Sequence, residues 1–306
     1  MRIIFAGTPD NAAKTLESLL ASGLDVVGIL TREDARIGRS RVLTESPVAS
    51  VGSKHGIEVR KSNSISVAVV EWMRGLEAQL GIVVAYGAIF GPDVLETPEL
   101  GWINVHYSLL PEYPGAAPVQ YALLDGKEAT GVTIFRLDEG VDTGPILASK
   151  LLEIGESMNA SSLLLALTSV GSNLLLETLH NFDQRLDNQI VQERSPLIRV
   201  AKKLSRKDAK LDFGKSARVV HNMVRAMNPE PVAWFETNEM SVRVLETRVS
   251  NVTGIPEGEA VLNSGELLVG CSDVALVLLL VQPAGKAVMA GADWFRGLRQ
   301  QKLLLS

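Results

Sequence analysis

What most constrains this chain is the alternation, through its first half, of short apolar runs with amphipathic stretches. Arg2–Phe5 reads as a strand, and Asn11–Ser22 follows with apolar residues at helical spacing and Gly23 as its stop. Asp25–Leu30 reads as a second strand and the polar stretch Thr31–Ser46 as a loop, with Pro47 opening a helix that ends near Gly56. Ile57–Val59, Ile82–Ala85, Trp102–His106, Gly131–Phe135 and Pro145–Leu152 continue the strands, and helices are expected over Ser64–Gln79 and Asn159–Phe182. Repeated strand–helix–strand units build parallel sheets with right-handed crossovers, so the expected class is α/β: a doubly wound, mostly parallel, Rossmann-like sheet. Gly7-Thr8-Pro9 after the first strand lacks the G-x-G-x-x-G spacing of a dinucleotide site and reads as a tight strand-to-helix turn.

The character changes near residue 200. Arg199, Lys202, Lys203, Arg206, Lys207 and Lys210 stand against one acid, Asp208. Beyond them a helical stretch, Ser216–Met227, reaches the turn residues Asn228-Pro229-Glu230-Pro231. Five β-rich runs follow, at Ala233–Thr237, Val242–Val249, Glu259–Leu262, Leu267–Cys271 and Val274–Val281. Short strands at this spacing suggest a small barrel (OB-like) or a sandwich. The organisation expected is a domain over 1–198, a basic linker over 199–210 and a β-rich domain over 211–306, and a length of 306 residues suits two domains.

The single cysteine, Cys271, excludes an intrachain disulfide and a cysteine metal cluster, and a small buried hydrophobe is its plain reading. His55, His180 and His221 lack ligand-like neighbours, so no metal is expected. The first apolar run is too short for a signal-peptide core, and Val274–Val281 is far shorter than the roughly 20 residues that span a bilayer. A soluble, cytoplasmic protein without membrane association is expected, as a monomer. The net charge of −5 argues against a general nucleic-acid binder but averages over any local basic face.

The densest candidate for chemistry is Asn104-Val105-His106-Tyr107-Ser108-Leu109-Leu110-Pro111. Asn104 and His106 are two apart on an expected strand and so share a face, at the C-terminal end where open α/β sheets bind ligands. Asp142 lies in Asp138-Glu139-Gly140-Val141-Asp142-Thr143-Gly144, a tight glycine-flanked loop able to bring its carboxylate over the first cluster. An amide and an imidazole N–H suit stabilisation of an oxyanion, and a carboxylate beside the imidazole suits proton relay, which together fit acyl transfer to an amine. Taken singly, His106 also fits a structural histidine, Asn104 a turn or capping residue, and Asp142 an ordinary loop residue. Ser108 raises a serine-hydrolase alternative, but no G-x-S-x-G elbow surrounds it.

These residues resemble the folate-dependent formyltransferases. Asn104, His106, Ser108-Leu109-Leu110-Pro111, Gly115-Ala116-Ala117-Pro118 and Asp138 through Gly144 match that family's pattern in order. The resemblance implies that Asn104 and His106 polarise a formyl group and that Asp142 assists proton transfer. It also implies that Ser108, Leu109, Leu110 and Pro111 lie against tetrahydrofolate, and that Val83-Val84-Ala85-Tyr86-Gly87 lines the pterin pocket. Phe5-Ala6-Gly7-Thr8-Pro9-Asp10 and Leu280-Val281-Gln282-Pro283-Ala284-Gly285-Lys286 match the branch that acts on initiator methionyl-tRNA, with 10-formyltetrahydrofolate as co-substrate. Residues 1–198 would then be the catalytic domain and 211–306 a tRNA-binding domain. Formylation of an amino-sugar nucleotide, or a non-catalytic RNA-binding relative, are the alternatives.

Arg32, Arg36, Arg39 and Arg41 sit in the Thr31–Ser46 stretch, which is similar to the family's insertion loop that meets the acceptor stem, Arg39 at its key basic position. Lys202, Lys203, Arg206 and Lys207 of the linker are the second candidate RNA contact, although each segment by itself equally fits a solvated loop or hinge. The chain departs from the family at Glu112 and Pro114, where basic residues are frequent, and at Tyr107, where glycine is. Asn11 and Glu230 stand where an aromatic residue is common.

Overall fold

The computed structural model describes the chain except residues 38–40, 194, 196–197, 238–239 and 306. It packs as two units: Met1–Ala116 with Thr130–Glu153 and Leu164–Ala201, and Ala117–Ala129 with Ile154–Leu163 and Lys202–Ser306. The second unit thus takes in two segments that precede the change of sequence character near residue 200.

The first unit is the expected α/β sheet. In chain order it runs β1 (Arg2–Gly7), α1 (Asp10–Ala21), β2 (Asp25–Thr31), β3 (Ala35–Ile37), β4 (Val42–Thr44), α2 (Pro47–Lys54), β5 (Val59–Lys61), α3 (Val67–Gly75), β6 (Leu80–Val84), α4 (Pro92–Leu95) and β7 (Trp102–His106). After α5 (Pro118–Leu124), which belongs to the second unit, come β8 (Ala129–Arg136), β9 (Ile146–Glu153), α6 (Ala160–His180) and α7 (Phe182–Asp187). The sheet order is β5-β2-β1-β6-β7-β8-β9. Pairings are parallel from β5 through β7, and β8 runs antiparallel to β7. β1 and β6 are buried along nearly their whole length, as strands covered on both faces must be. Trp102, 1% exposed, fills one face beside Phe90 and Tyr86 and donates from Nε1 to the Val94 carbonyl at 2.8 Å. Fully burying large apolar side chains of this kind contributes about 1.5–3 kcal/mol each.

Two local expectations change. Thr31–Ser46 is not simply a loop: β3 and β4 pair as an antiparallel hairpin, with Arg36 opposite Leu43. The β-formers Val42 and Thr44 support it within a polar composition that hides the alternation. α5, opened by Pro118, was not anticipated, because seven residues are too few to establish a helical period. α6 is long and apolar enough to cross a bilayer by length and composition, and half of that window is buried inside the protein.

The second unit holds a 3₁₀ turn (Arg206–Ala209), α8 (Ala217–Met227), β10 (Trp234–Glu236), β11 (Ser241–Val249), β12 (Glu259–Asn263), β13 (Glu266–Gly270), β14 (Ala275–Pro283), β15 (Met289–Ala290), α9 (Gly291–Gly297) and β16 (Lys302–Leu304). The strands form a curled antiparallel half-barrel in the order β10-β11-β14-β13-β12-β16, with β15 on β14. Its core gathers Phe213, Phe235, Trp294 and Phe295 with the apolar face of α8. Cys271 is buried in that core, its thiol pushed up to about 12 by burial and by the neighbouring Asp273 and Glu257 carboxylates, so it stays protonated. A register shift in β11 between Val244 and Thr247 changes the alternation, so that Thr247 rather than Glu246 turns inward.

Candidate active site

β7 lies between parallel β6 and antiparallel β8, which places Asn104 opposite Val83 and Phe135 and His106 opposite Thr133. Beyond the strand end, Thr133 pins the turn that follows: its hydroxyl donates to the Ser108 carbonyl at 2.7 Å and accepts from the Leu110 N–H at 3.0 Å. Ser108 is fully buried and donates from Oγ to the Glu112 carbonyl at 2.6 Å, so it is no exposed nucleophile and the hydrolase alternative loses its key group.

His106 is 5% exposed, with Nε2 3.0 Å from the Tyr113 carbonyl. A carbonyl only accepts, so the imidazole proton sits on Nε2 and Nδ1 is the nitrogen left to face the site. Nδ1 lies 3.6 Å from Asp142 Oδ2, a charge-pair distance longer than a formed hydrogen bond. Asn104 is half-buried, and its amide makes no hydrogen bond among the described residues. The strand end and the Asp142 loop therefore bring His106 and Asp142 together, with Asn104 two residues before His106 on the same face of β7.

The loop that carries Asp142 is held from several sides. Asp138 accepts from the Gly140 N–H at 3.0 Å and from the Thr143 hydroxyl at 2.8 Å. Asp142 has φ +54°, and its Oδ2 accepts from the Gly115 N–H at 2.6 Å. Gly115 itself has φ +116°, and a Cβ there would lie 2.7 Å from the Ala201 carbonyl, so only glycine lets the chain approach Ala201 so closely. The Ala201 N–H in turn donates to Pro114 and its carbonyl accepts from Ala116, each at 2.7 Å. Gln192 completes the hold, donating from Nε2 to the carbonyls of Asp142 at 3.0 Å and Gly144 at 2.7 Å. Thr133 and Gln192 were missed from the sequence: a hydroxyl within an apolar strand and an amide 50 residues beyond the loop show no local pattern.

After β6, Ala85, Gly87 and Ile89 turn outward while Tyr86 and Phe90 pack into the core. The Tyr86 ring is 1% exposed and its hydroxyl donates to the Ser62 carbonyl at 2.8 Å, so the ring is not open to a ligand. Burial raises its phenol above the ordinary range, and Arg32, whose guanidinium lies 5.5 Å from the ring centre, opposes that rise. Ile89 is 79% exposed. The Asn11 amide donates to the Tyr107 hydroxyl at 3.2 Å, joining α1 to the residue after β7.

Among the basic residues, Arg36 and Arg41 are exposed on the hairpin, Arg36 donating to the Arg41 carbonyl at 3.2 Å, and Arg39 lies outside the described residues. Lys202, Lys203, Arg206 and Lys207 are all exposed. Asp208 forms no ion pair with them among the described residues: its carboxylate accepts from the hydroxyl and N–H of Ser205, bonds that, with the nearby Lys207 charge, hold it below its usual carboxylate range. Arg206 and Lys210 lie 5.0 and 5.6 Å from the Trp234 ring centre.

A family model described as formyl transferase matches residues 1–179, and one described as formyl transferase, C-terminal domain, matches residues 203–299. The methionyl-tRNA formyltransferase of Renibacterium salmoninarum is 40% identical over 299 residues, covering 97% of this chain and 97% of that protein. That of Corynebacterium urealyticum is 40% identical over 318 residues, covering 99% and 96%. A solved N-formyltransferase from Helicobacter canadensis, in complex with folinic acid and dTDP-3-aminofucose, shares the fold at TM-score 0.67 and 20% identity, over 92% of this chain and 98% of that one.

Proposed function

The chain belongs to the methionyl-tRNA formyltransferase family, and from that premise we propose that it moves the formyl group of 10-formyltetrahydrofolate to the α-amine of initiator methionyl-tRNA. One observation carries the assignment of the site: the Asp142 carboxylate, seated on the Gly115 N–H, lies 3.6 Å from His106 Nδ1 at the strand end that also presents the Asn104 amide. In this reading residues 1–198 form the catalytic domain, 199–210 the basic linker and 211–306 the tRNA-binding domain. The folate lies along Ser108–Pro111 and the outward backbone of Gly87, its ring system against the exposed apolar surface at Ile89. Tyr86 supports that strand end from inside.

The attacking amine needs little activation, since an α-amino group with a pKa near ~8 is partly neutral at pH 7. As the new C–N bond forms, charge gathers on the formyl oxygen, and the Asn104 amide donates to it without first breaking a protein hydrogen bond. His106 Nδ1, once protonated, donates to the same oxygen, and Asp142 offsets the imidazolium charge. The amine gives up one proton and the departing folate nitrogen gains one, so the His106–Asp142 pair balances the reaction by taking and returning it.

The direct test incubates the protein with charged initiator tRNA and 10-formyltetrahydrofolate, with an amino-sugar nucleotide as control acceptor. Formyl-methionyl-tRNA with an unreacted sugar control is the expected result, and the reverse outcome overturns the assignment. Gln192→Ala removes two hydrogen bonds of ~0.5–1.5 kcal/mol each and is expected to lower turnover about tenfold. Gln192→Glu cannot donate to either carbonyl and should do no better; normal kcat in both variants, read in single turnovers, would remove Gln192 from the loop's support. Exchanging Lys203 and Lys207 for alanine is expected to weaken tRNA binding and flatten its salt slope by about one unit per lost phosphate contact. A filter-binding series across salt concentrations measures it, and an unchanged slope excludes the linker from the RNA interface.

A further inference from the structure

The second unit contains a cleft apart from the residues placed in the formyl-transfer site and in the basic linker. It encloses about 610 Å³ between α8, the outer half of β11, the middle of β14 and the segment Glu156–Asn159. That volume lies in the ~300–1,000 Å³ range of small-ligand sites. Its floor is apolar: Val224, Leu245, Val249 and Leu279, with Leu280 still 37% exposed. Its walls carry three arginines and a histidine. Arg218, His221 and Arg225 fall on one stripe of α8 at spacings of three and four, and Arg248 reaches the cleft from β11.

The positive charges are incompletely answered from within the protein. Arg218 is exposed and has no partner among the described residues. Arg225 is half-buried: Nη1 donates to the Gly155, Glu156 and Met158 carbonyls at 3.2–3.4 Å, and Nη2 donates to Asn222 Oδ1 at 2.7 Å, but its Nε is buried without an acceptor. His221 bonds through Nδ1 to the Thr247 hydroxyl at 2.8 Å, the residue that the β11 register shift turns inward. Burial first, then Arg225 and Arg218, lower this imidazole to about 4, outweighing the opposing pull of Glu156. Arg248 is paired with Glu266 at 2.7 Å, an exposed pair that a stronger anion displaces at little cost. Glu156 and Glu246, both exposed at the rim, are acceptors for the N–H groups of a base.

We propose that this cleft binds a phosphate-bearing nucleotide, with Arg218 and Arg248 on the phosphate and the base laid on the apolar floor. A cluster of like charges around an apolar surface supplies both halves of such a ligand, and arginine forks match phosphate oxygens geometrically. The ligand is a free nucleotide, distinct from the RNA that residues 211–306 meet in the proposed function.

The chain has four histidines, so the His221 side-chain resonances are readily separated by NMR. At pH 7, the full chain is titrated with 5′-AMP, with inorganic pyrophosphate and with a 5′-phosphorylated RNA tetranucleotide. A saturable shift of the His221 signals with AMP, and a weaker one with pyrophosphate, is the expected result; a shift with the tetranucleotide alone makes the cleft part of the RNA surface already assigned to residues 211–306 and overturns the proposal. Arg218→Ala with Arg248→Ala should weaken either response about tenfold or more, and Arg218→Gln alone gives the same reading should the double variant fold poorly. No movement of His221 with AMP, or an undiminished AMP response in the folded variant, likewise overturns it.

Discussion

Replacing His106 by alanine lowers formyl transfer by about two to four orders of magnitude while leaving tRNA binding essentially intact. The expectation rests on position. His106 is the one imidazole at the strand end, its Nε2 committed to the Tyr113 carbonyl and its Nδ1 facing Asp142. Alanine removes the donor to the developing oxyanion and the proton carrier together, and it leaves the Tyr113 carbonyl without that donor. The latter costs about 1–3 kcal/mol of stability, so urea denaturation must accompany the kinetics. Single-turnover rates with saturating tRNA, set beside an equilibrium binding curve, separate chemistry from binding. Turnover near that of the parent protein, in a folded variant, would sink the assignment of this site.

Asp142→Asn should be nearly as damaging, at about 10²–10⁴ in kcat, and with less structural cost. The amide keeps an oxygen for the Gly115 N–H and the shape that the loop accommodates at φ +54°, but loses the charge that steadies a protonated His106. Since that charge matters most as the oxyanion and imidazolium form, kcat and kcat/KM should fall together while KM for tRNA changes little. Loss confined to KM, or activity close to normal, would make Asp142 a loop residue held by Gly115 and Gln192 for structural reasons alone. Gln192→Ala, which loosens the same loop without touching its charge, is the natural comparison and should fall well short of either loss.

Much of this site was legible before any coordinates. The two-residue spacing of Asn104 and His106 is enough to place both on one face, because strand geometry alternates with period two, and their position before a turn puts them at a sheet end. Glycines around Asp142 announce a tight loop. The supports of that loop were not legible: the Thr133 hydroxyl, the Tyr113 carbonyl and Gln192 each act across distance in the chain and leave no periodic mark. Tyr86 illustrates the limit in the other direction, since a residue within a recognised segment turned into the core and left its neighbours to face outward.

What the sequence determined by itself is the set of elements whose hydrophobic period is long and uninterrupted: the strands and flanking helices of the first half, and the β-rich character of the second. Periodicity is a local signal, and burial of one face enforces it wherever the chain ends up. Only the tertiary structure decided that β8 runs against β7, that Ala117–Ala129 and Ile154–Leu163 pack with the C-terminal unit, and that α8 turns two arginines and a histidine toward one cleft. Those outcomes depend on which surfaces are buried against each other and on backbone groups finding partners far along the chain. No window of neighbouring residues encodes that choice.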